Sequence, residues 1–476
     1  MRNREEIKEI IDQPIYQTIG KAADEFGAKA YIIGGFVRDL ILERPSKDMD
    51  IVVEGSGIEF AQFLSKKLDG TKVSFFKNFG TAMFNYNGLE IEIVGARKES
   101  YRYESRKPLV ENGTLAEDQE RRDFTINAIS IGLNAEEFGQ LIDPFNGVED
   151  IKNEILVTPK DSEQTYSDDP LRMMRAIRFA SQLNFKIEDN SLEAIKTQKD
   201  RISIVSKERI IDEMNKIILA KRPSLGFKLL FSTGLLHYIF PKMVQLHGVD
   251  IKNGQGHKDN FYHTLQVLDN VADRSNDLWL RWSAIMHDIA KPDTKRYDSR
   301  AGWTFHGHED LGAKITPRIF KDLKLPLDQK MKFVQKMVRL HLRPIALSKD
   351  TVSDSGIRRL LFDAGEDLES LMILCESDIT SKNDSKVQRY LTNFQRVRAK
   401  CREVEESDKM RNWQPPIGGA EIMETFELGP CREVGILKTA IREAILDEKI
   451  DNTYEAAHAF LMSEAKKLGL THKSAK

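Results

Sequence analysis

The stretch YIIGGFVRDLILERPSKDMDIVV (residues 31–53) decides how the first part of the chain folds. An apolar run, Tyr31–Ile33, meets Gly34-Gly35, then FVRDLILE with helical spacing, then DMDIVV with strand-like content. The order is strand, turn, helix, strand. A glycine pair between a strand and a helix lacks Cβ atoms, so backbone N–H groups there can approach a phosphate chain. Arg38 follows one helical turn later and suits a phosphate oxygen. Asp48 and Asp50 are two apart, which on a strand puts both carboxylates on one face. Like charges side by side are costly unless a cation lies between them. A hard divalent ion with oxygen ligands supplies it, and beside substrate phosphates that ion is usually Mg²⁺. A third carboxylate can come from LEIEIVGA (89–96), where Glu90 and Glu92 again share a strand face. Either residue fits the pattern; Glu92 is assigned here. Each feature alone reads as a plain turn or a solvated strand edge. Together, in this order, they read as a metal and triphosphate site.

The rest of the chain is organised around that segment. With 476 residues, several domains are expected. A charged content of 31% and a hydrophobic content of 40% are those of a globular protein. The net charge of −2 provides no global basic field, so any nucleic-acid surface has to be a local stripe. Cys375, Cys401 and Cys431 form no CxxC pair, which fits a reducing compartment. MRNREEIKEIIDQ has no apolar signal core and no later run is long enough to span a bilayer, so a cytoplasmic protein without a membrane partner is expected. Strand-like and helix-like segments alternate through residue 135. From Pro170 the spacing is helical, in LRMMRAIRFASQL, ERIIDEMNKII and SLGFKLLFSTGLLHYI. HGVDIKNGQGHKDN (247–260) reads as a break, and a second helical block follows. The boundaries expected are 1–135, 136–246, 247–390 and 391–476. The terminal SEAKKLGLTHKSAK is polar and basic, as a frayed end would be.

GGFVRDLILERPSKDMDIVV resembles the signature of the class II nucleotidyltransferases, the CCA-adding tRNA enzymes and bacterial poly(A) polymerases. The likeness continues in register. ERRDFTINAIS (120–130) is similar to the family's ribose-recognising motif and DPFNGVEDI (143–151) to its hinge. SDDPLRMMRAIRFA (167–180) is similar to the base-reading motif, and SKERIIDEMNKII (206–218) to the one after it. One departure is Asp168-Asp169 where the family has Glu-Asp, a loss of one methylene at the first position. The resemblance implies an α/β nucleotidyltransferase head, an all-α neck, then a helical body and tail. It also implies a nucleotide site at Gly34, Gly35, Arg38, Arg122, Asp123, Asn127, Asp169, Arg172, Arg175 and Arg178, with Asp48, Asp50 and Glu92 catalytic around Mg²⁺.

The spacing suggests how such a site reads a base. Asp169 and Arg172, three apart on a helix, would share a face. Cytosine and adenine both present an amino donor beside a ring-nitrogen acceptor, which an Asp acceptor next to an Arg donor matches. Uracil and guanine would oppose their polar groups to that pair, and rejection of this kind can reach roughly 10⁴-fold. The bland alternative is a surface i,i+3 ion pair. Arg175 and Arg178 extend the spacing into a basic stripe suited to triphosphate or RNA backbone, or into a solvated face. Asp123 and Asn127, four apart, would share a face near the ribose, unless Asp123 merely caps the next helix.

The rear half holds a different constellation: His263 in FYHTLQVL, His287-Asp288 in WSAIMHDIAK, His306 and His308 in FHGHED, and Asp378 in LCESDIT. A single His on an apolar helix is usually core. An HD doublet with a His before it and a distant Asp resembles the HD metal-dependent phosphohydrolase superfamily. That likeness implies a second divalent metal held by His263, His287, Asp288, His308 and Asp378. The mixed N/O donors suit Mn²⁺, Ni²⁺, Fe or Mg²⁺, with a bound water activated against a phosphoester.

The expected function is template-independent CCA addition to tRNA from CTP and ATP, with pyrophosphate released. The HD neighbour and the segment ESYRYESRKPLVENGTLAEDQ (99–119), which looks like the flexible loop of enzymes that add the terminal A, favour it over poly(A) polymerase. An HD phosphohydrolase with a merely nucleotide-binding head is the rival of another class.

Overall fold

The computed structural model describes the chain except residues 47, 69–71, 77–79, 87, 103–104, 348–352, 381–382, 409–413 and 471–476. The chain divides into two compact units, Met1–Val244 and Gln245–Lys476.

The first unit is built on a mixed sheet. Its strands are β1 (Ala30–Ile33), β2 (Asp48–Val53), β3 (Ser74–Phe76), β4 (Thr81–Tyr86) and β5 (Leu89–Gly95). A separate ribbon, β6 (Arg97–Arg102) with β7 (Ser105–Asn112), precedes β8 (Ser130–Gly132) and β9 (Leu141–Ile142). The sheet order is β3-β4-β5-β2-β1-β8-β9. β1 runs antiparallel to β2 and β8, while β2 and β5 are parallel. Every residue of β1 is buried, as are Met49 and Ile51–Val53 of β2, because apolar residues cover both faces at the sheet centre. The helices Pro14–Phe26 and Gly57–Lys67 pack against each other, and the second also against β2, β4 and β5; Ile19, Ala23, Phe60 and Leu64 are their buried residues.

Residues 99–119, read from sequence as a loop, are otherwise arranged in the described part. β6 and β7 pair antiparallel with an irregularity between Ser100 and Arg102, and the helix Leu115–Glu120 follows. Polar composition hid the strand pattern, since a two-stranded ribbon needs no buried face to satisfy its backbone by self-pairing. Thr114 and Glu117 form a reciprocal capping box that starts the helix.

The hinge-like motif docks onto the ribose-like motif. Both carboxylate oxygens of Asp143 accept backbone N–H groups, from Gly147 at 2.7 Å and Val148 at 2.9 Å. A Cβ on Gly147 would lie 2.4 Å from the Thr125 carbonyl oxygen, so only glycine permits this approach. The helices that follow include Leu171–Leu183 and Lys207–Ile218, with one two-residue parallel pairing, Ile155–Leu156 on Lys186–Ile187, in the otherwise helical region. Leu171, Met173, Met174, Ile177 and Ala180 give Leu171–Leu183 its buried face, and Asn184 ends it in the left-handed region at φ 61°.

The second unit is helical with two short hairpins. Its main helices are Asn260–Ala272, Leu278–Met286, His308–Asp322, Gln329–Leu340, Asp354–Ala364, Leu368–Ser377 and Asp384–Asp408. Three further helices, Gly419–Thr425, Arg432–Leu446 and Tyr454–Lys467, enclose a core of their own that includes Ile422, Leu437, Ile441 and Leu461. Of the terminal segment expected to fray, residues up to Lys467 are helical, and 471–476 lie outside the described residues. Among the described residues no helix is long and apolar enough to cross a membrane.

Candidate active site and metal centre

In the first unit a cavity of about 450 Å³ is lined by both carboxylates and arginines. The acidic wall is the pairing of β2 with β5, in which Asp48 lies opposite Glu90 and Asp50 opposite Glu92. Period-2 alternation on two adjacent strands therefore collects four carboxylates on one face. Asp50 and Glu92 are both pushed above the ordinary carboxylate range, first by burial and then by the neighbouring acids. Arg122 pulls Asp50 the other way. Such a wall fits a hard divalent cation, which would relieve that repulsion. Glu90 and Glu92 both line the cavity, so geometry keeps both in play.

Gly34 ends β1 and begins the helix Gly35–Ile41 with φ 83° and ψ −140°, a conformation nearly reserved for glycine. A Cβ there would lie 2.9 Å from Arg122 Nη1 and 3.2 Å from Asp50 Oδ2. Gly35 has an ordinary φ, and the nearest atom to an added Cβ, Arg38 Nη2, is 3.5 Å away. Gly34→Ala should thus cost about 1–3 kcal/mol in stability, while Gly35→Ala should not. Thermal melts of the two variants check this; equal melting would remove the demand for glycine at 34.

The cavity lining also includes arginines held by a buried network. Arg38 donates to both carboxylate oxygens of Asp39, at 3.0 and 2.9 Å, and to Asn127 Oδ1 at 2.7 Å. Asn127 Nδ2 in turn donates to Asp123 Oδ1 at 3.0 Å, and Arg175 grips Asp123 Oδ2 at 2.7 and 2.6 Å. Arg178 donates to Glu213 at 2.5 Å, and the guanidinium groups of Arg38, Arg175 and Arg178 all face the ring of Phe179. Burial alone would raise the Asp123 carboxyl, but Arg175 and Asn127 outweigh it and hold it at about 2. Because its folded value is depressed, this pair's stabilisation is fully present above about pH 4, the range of an unfolded Asp, and fades as pH falls through about 2.

One sequence expectation changes here, and two alternatives that the sequence left open are decided. Asp169 is not on the arginine helix. Pro170 disfavours helical backbone in the residue before it, and Asp169 sits at φ −133°, ψ 98°, its carboxylate accepting Leu171 N–H at 3.2 Å. Asp169 and Arg172 are therefore not neighbours on one helical face, and neither lines the cavity; Arg172 is buried and donates to the Arg121 carbonyl at 2.6 Å. Second, Arg175 and Arg178 do not make a solvated stripe, being tied to Asp123 and Glu213 and lining the cavity. Third, Asp123 and Asn127 are joined by a short 3₁₀ turn, Thr125–Asn127, and Asp123 accepts from its neighbour Phe124 N–H at 2.9 Å rather than capping a helix. Glu213 and Phe179, absent from the sequence assignment, hold the arginines. Glu213 lay inside a quoted motif, and no local signal told it from a surface acid.

The second unit assembles its own cluster where three helices end. His287-Asp288 follows Leu278–Met286, His341 follows Gln329–Leu340, and Asp378 follows Leu368–Ser377. His263 comes from Asn260–Ala272 and His308 begins His308–Asp322. Nε2 of His263 lies 2.9 Å from Asp378 Oδ1 and 3.5 Å from Asp288 Oδ2, and His287 Nε2 lies 3.2 Å from Asp288 Oδ2. His308 Nε2 is 3.2 Å from Asp288 Oδ1. His306 is exposed, outside the cluster. The sequence reading missed His341, whose Nε2 is 3.3 Å from that of His308. A lone His after an amphipathic helix gave no signal that tertiary contact would bring it here. Nδ1 of His287, His308 and His341 each lies 2.7 Å from a backbone carbonyl, of Ala284, Phe305 and Val338, and that of His263 meets Thr380 Oγ1 at 2.9 Å. Donation there fixes the tautomer that leaves Nε2 as a ligand. His287 Nε2 is buried without a hydrogen-bond partner beside the Asp288 carboxylate, which is the arrangement a metal ion would satisfy. Burial disfavours charge on His287, but Asp288 outweighs it and lifts the ring to about 10; the carboxyls of Asp288 and Asp378 are held well below their usual range.

A carboxylate-paired sheet with a glycine turn, followed by an arginine helix and a histidine–aspartate helical centre, defines a nucleotidyltransferase head attached to an HD-type domain. Residues 30–157 match the poly A polymerase head domain, 184–246 the probable RNA and SrmB-binding site of polymerase A, and 260–383 the HD domain. An A-adding tRNA nucleotidyltransferase of Deinococcus radiodurans is 31% identical over 343 residues, 69% of this chain and 75% of that protein. A CCA-adding enzyme of Lactobacillus helveticus is 38% identical over 226 residues, 47% of this chain and 53% of that one. The chain spans about half the length of the Lactobacillus relative it matches. A tRNA nucleotidyltransferase solved with a primer tRNA and an incoming ATP analog is 25% identical, with a TM-score of 0.58 over 80% of this chain and 98% of that one. The chain belongs to the class II CCA-adding enzyme and poly(A) polymerase family, with an HD domain.

Proposed function

We propose that this protein adds CCA to tRNA 3′ ends without a template, using CTP and ATP. The observation that carries the reading is a single cavity lined by Asp48, Asp50, Glu90 and Glu92 together with Arg38, Arg175 and Arg178. Asp48 and Asp50, with Glu92 beside them, would hold Mg²⁺, which when bound supplies activation of the RNA 3′-hydroxyl and charge relief on the leaving pyrophosphate. The arginines steady the triphosphate, and the Asp123–Asn127 pair is placed for the ribose. Arg172 serves base selection, as the resemblance of its motif implies, although its side chain here donates to the Arg121 carbonyl. The 3′-oxygen then attacks the α-phosphorus as the bond to pyrophosphate breaks. The body is a metal-dependent phosphohydrolase, its divalent ion (Mn²⁺, Ni²⁺, Fe or Mg²⁺) held by the histidine–aspartate cluster. The domains divide as head 1–135, neck 136–246, HD domain 247–390 and tail 391–476.

A second reading, addition of the terminal A alone, is favoured by the A-adding Deinococcus relative, three quarters of whose length is covered. Transcripts ending before CCA, after one C and after both Cs separate the two when offered CTP or ATP singly. CMP incorporation on the first transcript supports CCA addition; AMP incorporation on the last alone would make it an A-adding enzyme. Arg172→Ala should slow incorporation and raise misuse of UTP and GTP by at least about 10-fold, since a polar mismatch no longer rejects them. Unchanged selectivity would remove Arg172 from base selection.

A further inference from the structure

We infer that two hairpins beside the histidine–aspartate centre form a stacking platform for the unpaired end of a nucleic-acid strand, the terminal phosphoester of which is presented to that centre. This deepens the proposed phosphohydrolase reading of the second unit and rests on it. The first hairpin pairs Ile251–Lys252 with Gln255–Gly256, and the second pairs Arg296–Asp298 with Gly302–Thr304. Tyr297 and Trp303 are cross-strand partners in the second, so their rings stand on one face, 5.3 Å apart. His257, just after the first hairpin, sets its ring edge-on to Trp303 and Phe305, 5.6 Å from each. That imidazole is fixed at both nitrogens. Nε2 accepts the Asp250 backbone N–H at 3.2 Å, and Nδ1 donates to the Lys258 carbonyl at 2.7 Å.

Positive charge accompanies the rings. Lys252 Nζ is 4.8 Å from the centre of the Tyr297 ring and Lys295 Nζ 5.5 Å from that of Trp303. Lys295 also pairs with Asp250, which ties the two hairpins together. Aromatic faces interleaved with cations suit an unpaired strand, because bases stack on the rings while phosphates meet the ammonium groups. A bare phosphate would have no use for the rings. Nor do these rings form a core: Tyr297, Trp303 and Phe305 are each half-buried, and Gly302 is the one fully buried residue from 296 to 305. The platform is continuous with the centre. Lys291 Nζ lies 5.6 Å from the centre of the Phe305 ring and 2.6 Å from Asp288 Oδ2. The Phe305 carbonyl accepts from His308 Nδ1 at 2.7 Å, so the segment that carries Trp303 also orients a histidine of the centre. A base stacked on Trp303 sits at the approach to the centre, where Lys291 reaches from Phe305 to Asp288 and is placed for the phosphate that follows.

Two readouts on the full-length protein test the platform, one of them independent of turnover. A short RNA oligonucleotide carrying thiouridine next to a terminal cyclic phosphate is photocrosslinked to the protein, and the attached peptides are identified by mass spectrometry. A crosslink on the hairpin that holds Tyr297 and Trp303 is expected; crosslinks confined to other segments would overturn the platform. The second readout compares hydrolysis of the same oligonucleotide with that of glycerol cyclic phosphate, which has no base, in the presence of Mn²⁺. Trp303→Ala should raise KM for the oligonucleotide about 10-fold, the effect of one lost stacking partner, with kcat and the base-free ester nearly unchanged. Trp303→Phe should recover most of the loss. Circular dichroism and melting check the fold. Equal losses on both substrates, or none on either, in folded Trp303→Ala would contradict the inference. Lys252→Ala changes an exposed side chain and serves if Trp303→Ala does not fold. It should raise KM for the oligonucleotide a few-fold at low salt and lose that effect at high salt, and no effect at low salt would count against the platform. Hydrolysis of neither substrate by the wild type would end the phosphohydrolase reading, and the crosslink would then decide the platform by itself.

Discussion

Asp50→Ala should reduce nucleotide incorporation on the order of 10³-fold or more while leaving fold and RNA affinity nearly unchanged. Asp50 sits opposite Glu92 where β2 meets β5, half-buried and lining the cavity. Charge relief by a held metal amounts to several kcal/mol in the transition state, and each 1.36 kcal/mol is tenfold in rate. An RNA substrate would be held mainly by phosphate contacts away from these carboxylates, so a filter-binding constant within a few-fold of wild type is expected. Removing a carboxylate from a repelling group costs the fold little. Asp48→Ala should behave in the same way. Single-turnover incorporation at saturating tRNA is the measurement, and a rate within tenfold of wild type in either variant would sink the catalytic assignment.

The second large effect lies in the other unit. His287→Ala/Asp288→Ala should abolish hydrolysis of phosphoesters, such as a cyclic phosphate on an RNA end, and leave nucleotide addition near the wild-type rate. Asp288 faces four histidine nitrogens and is 1% exposed, so no other residue in the cluster can replace it. The ligands of this centre act only within reach of their own bound water, and incorporation needs contact with the triphosphate in the head. The pair is deleted together because removing one partner would leave a buried charge uncompensated. Melting of the variant is measured first. A folded variant that loses incorporation would join the two chemistries, and one that keeps hydrolysis would remove these residues from the centre.

What the sequence disclosed, and what it hid, follows from which contacts are local. Asp48 and Asp50 were readable because two-residue spacing on a strand fixes a shared face, and Glu90 and Glu92 for the same reason. That the two pairs stand in register opposite each other is a property of the sheet. Gly34 was readable as a turn, but its conflict with Arg122 and Asp50 needed three distant segments to meet. Helical spacing was over-applied at Asp169, where Pro170 breaks the helix that three-residue spacing had assumed. The sequence left Arg175 and Arg178 open between a phosphate-binding stripe and a solvated face because their partners Asp123 and Glu213 are 52 and 35 residues away. His341 was invisible because its only local context is the end of an ordinary amphipathic helix. The pairing of β6 with β7 was obscured by their polar composition, which does not by itself exclude a strand.

The central claim is that the head builds CCA on tRNA, and the most direct measurement is the sequence of product ends. A tRNA transcript lacking its last three nucleotides is incubated with the protein, Mg²⁺, CTP and ATP, and its 3′ termini are read individually. Termini extended by C, C and A, then stopping, are expected. Long runs of A, addition of A only to ends already carrying both Cs, or no extension beside active phosphoester hydrolysis would each contradict it.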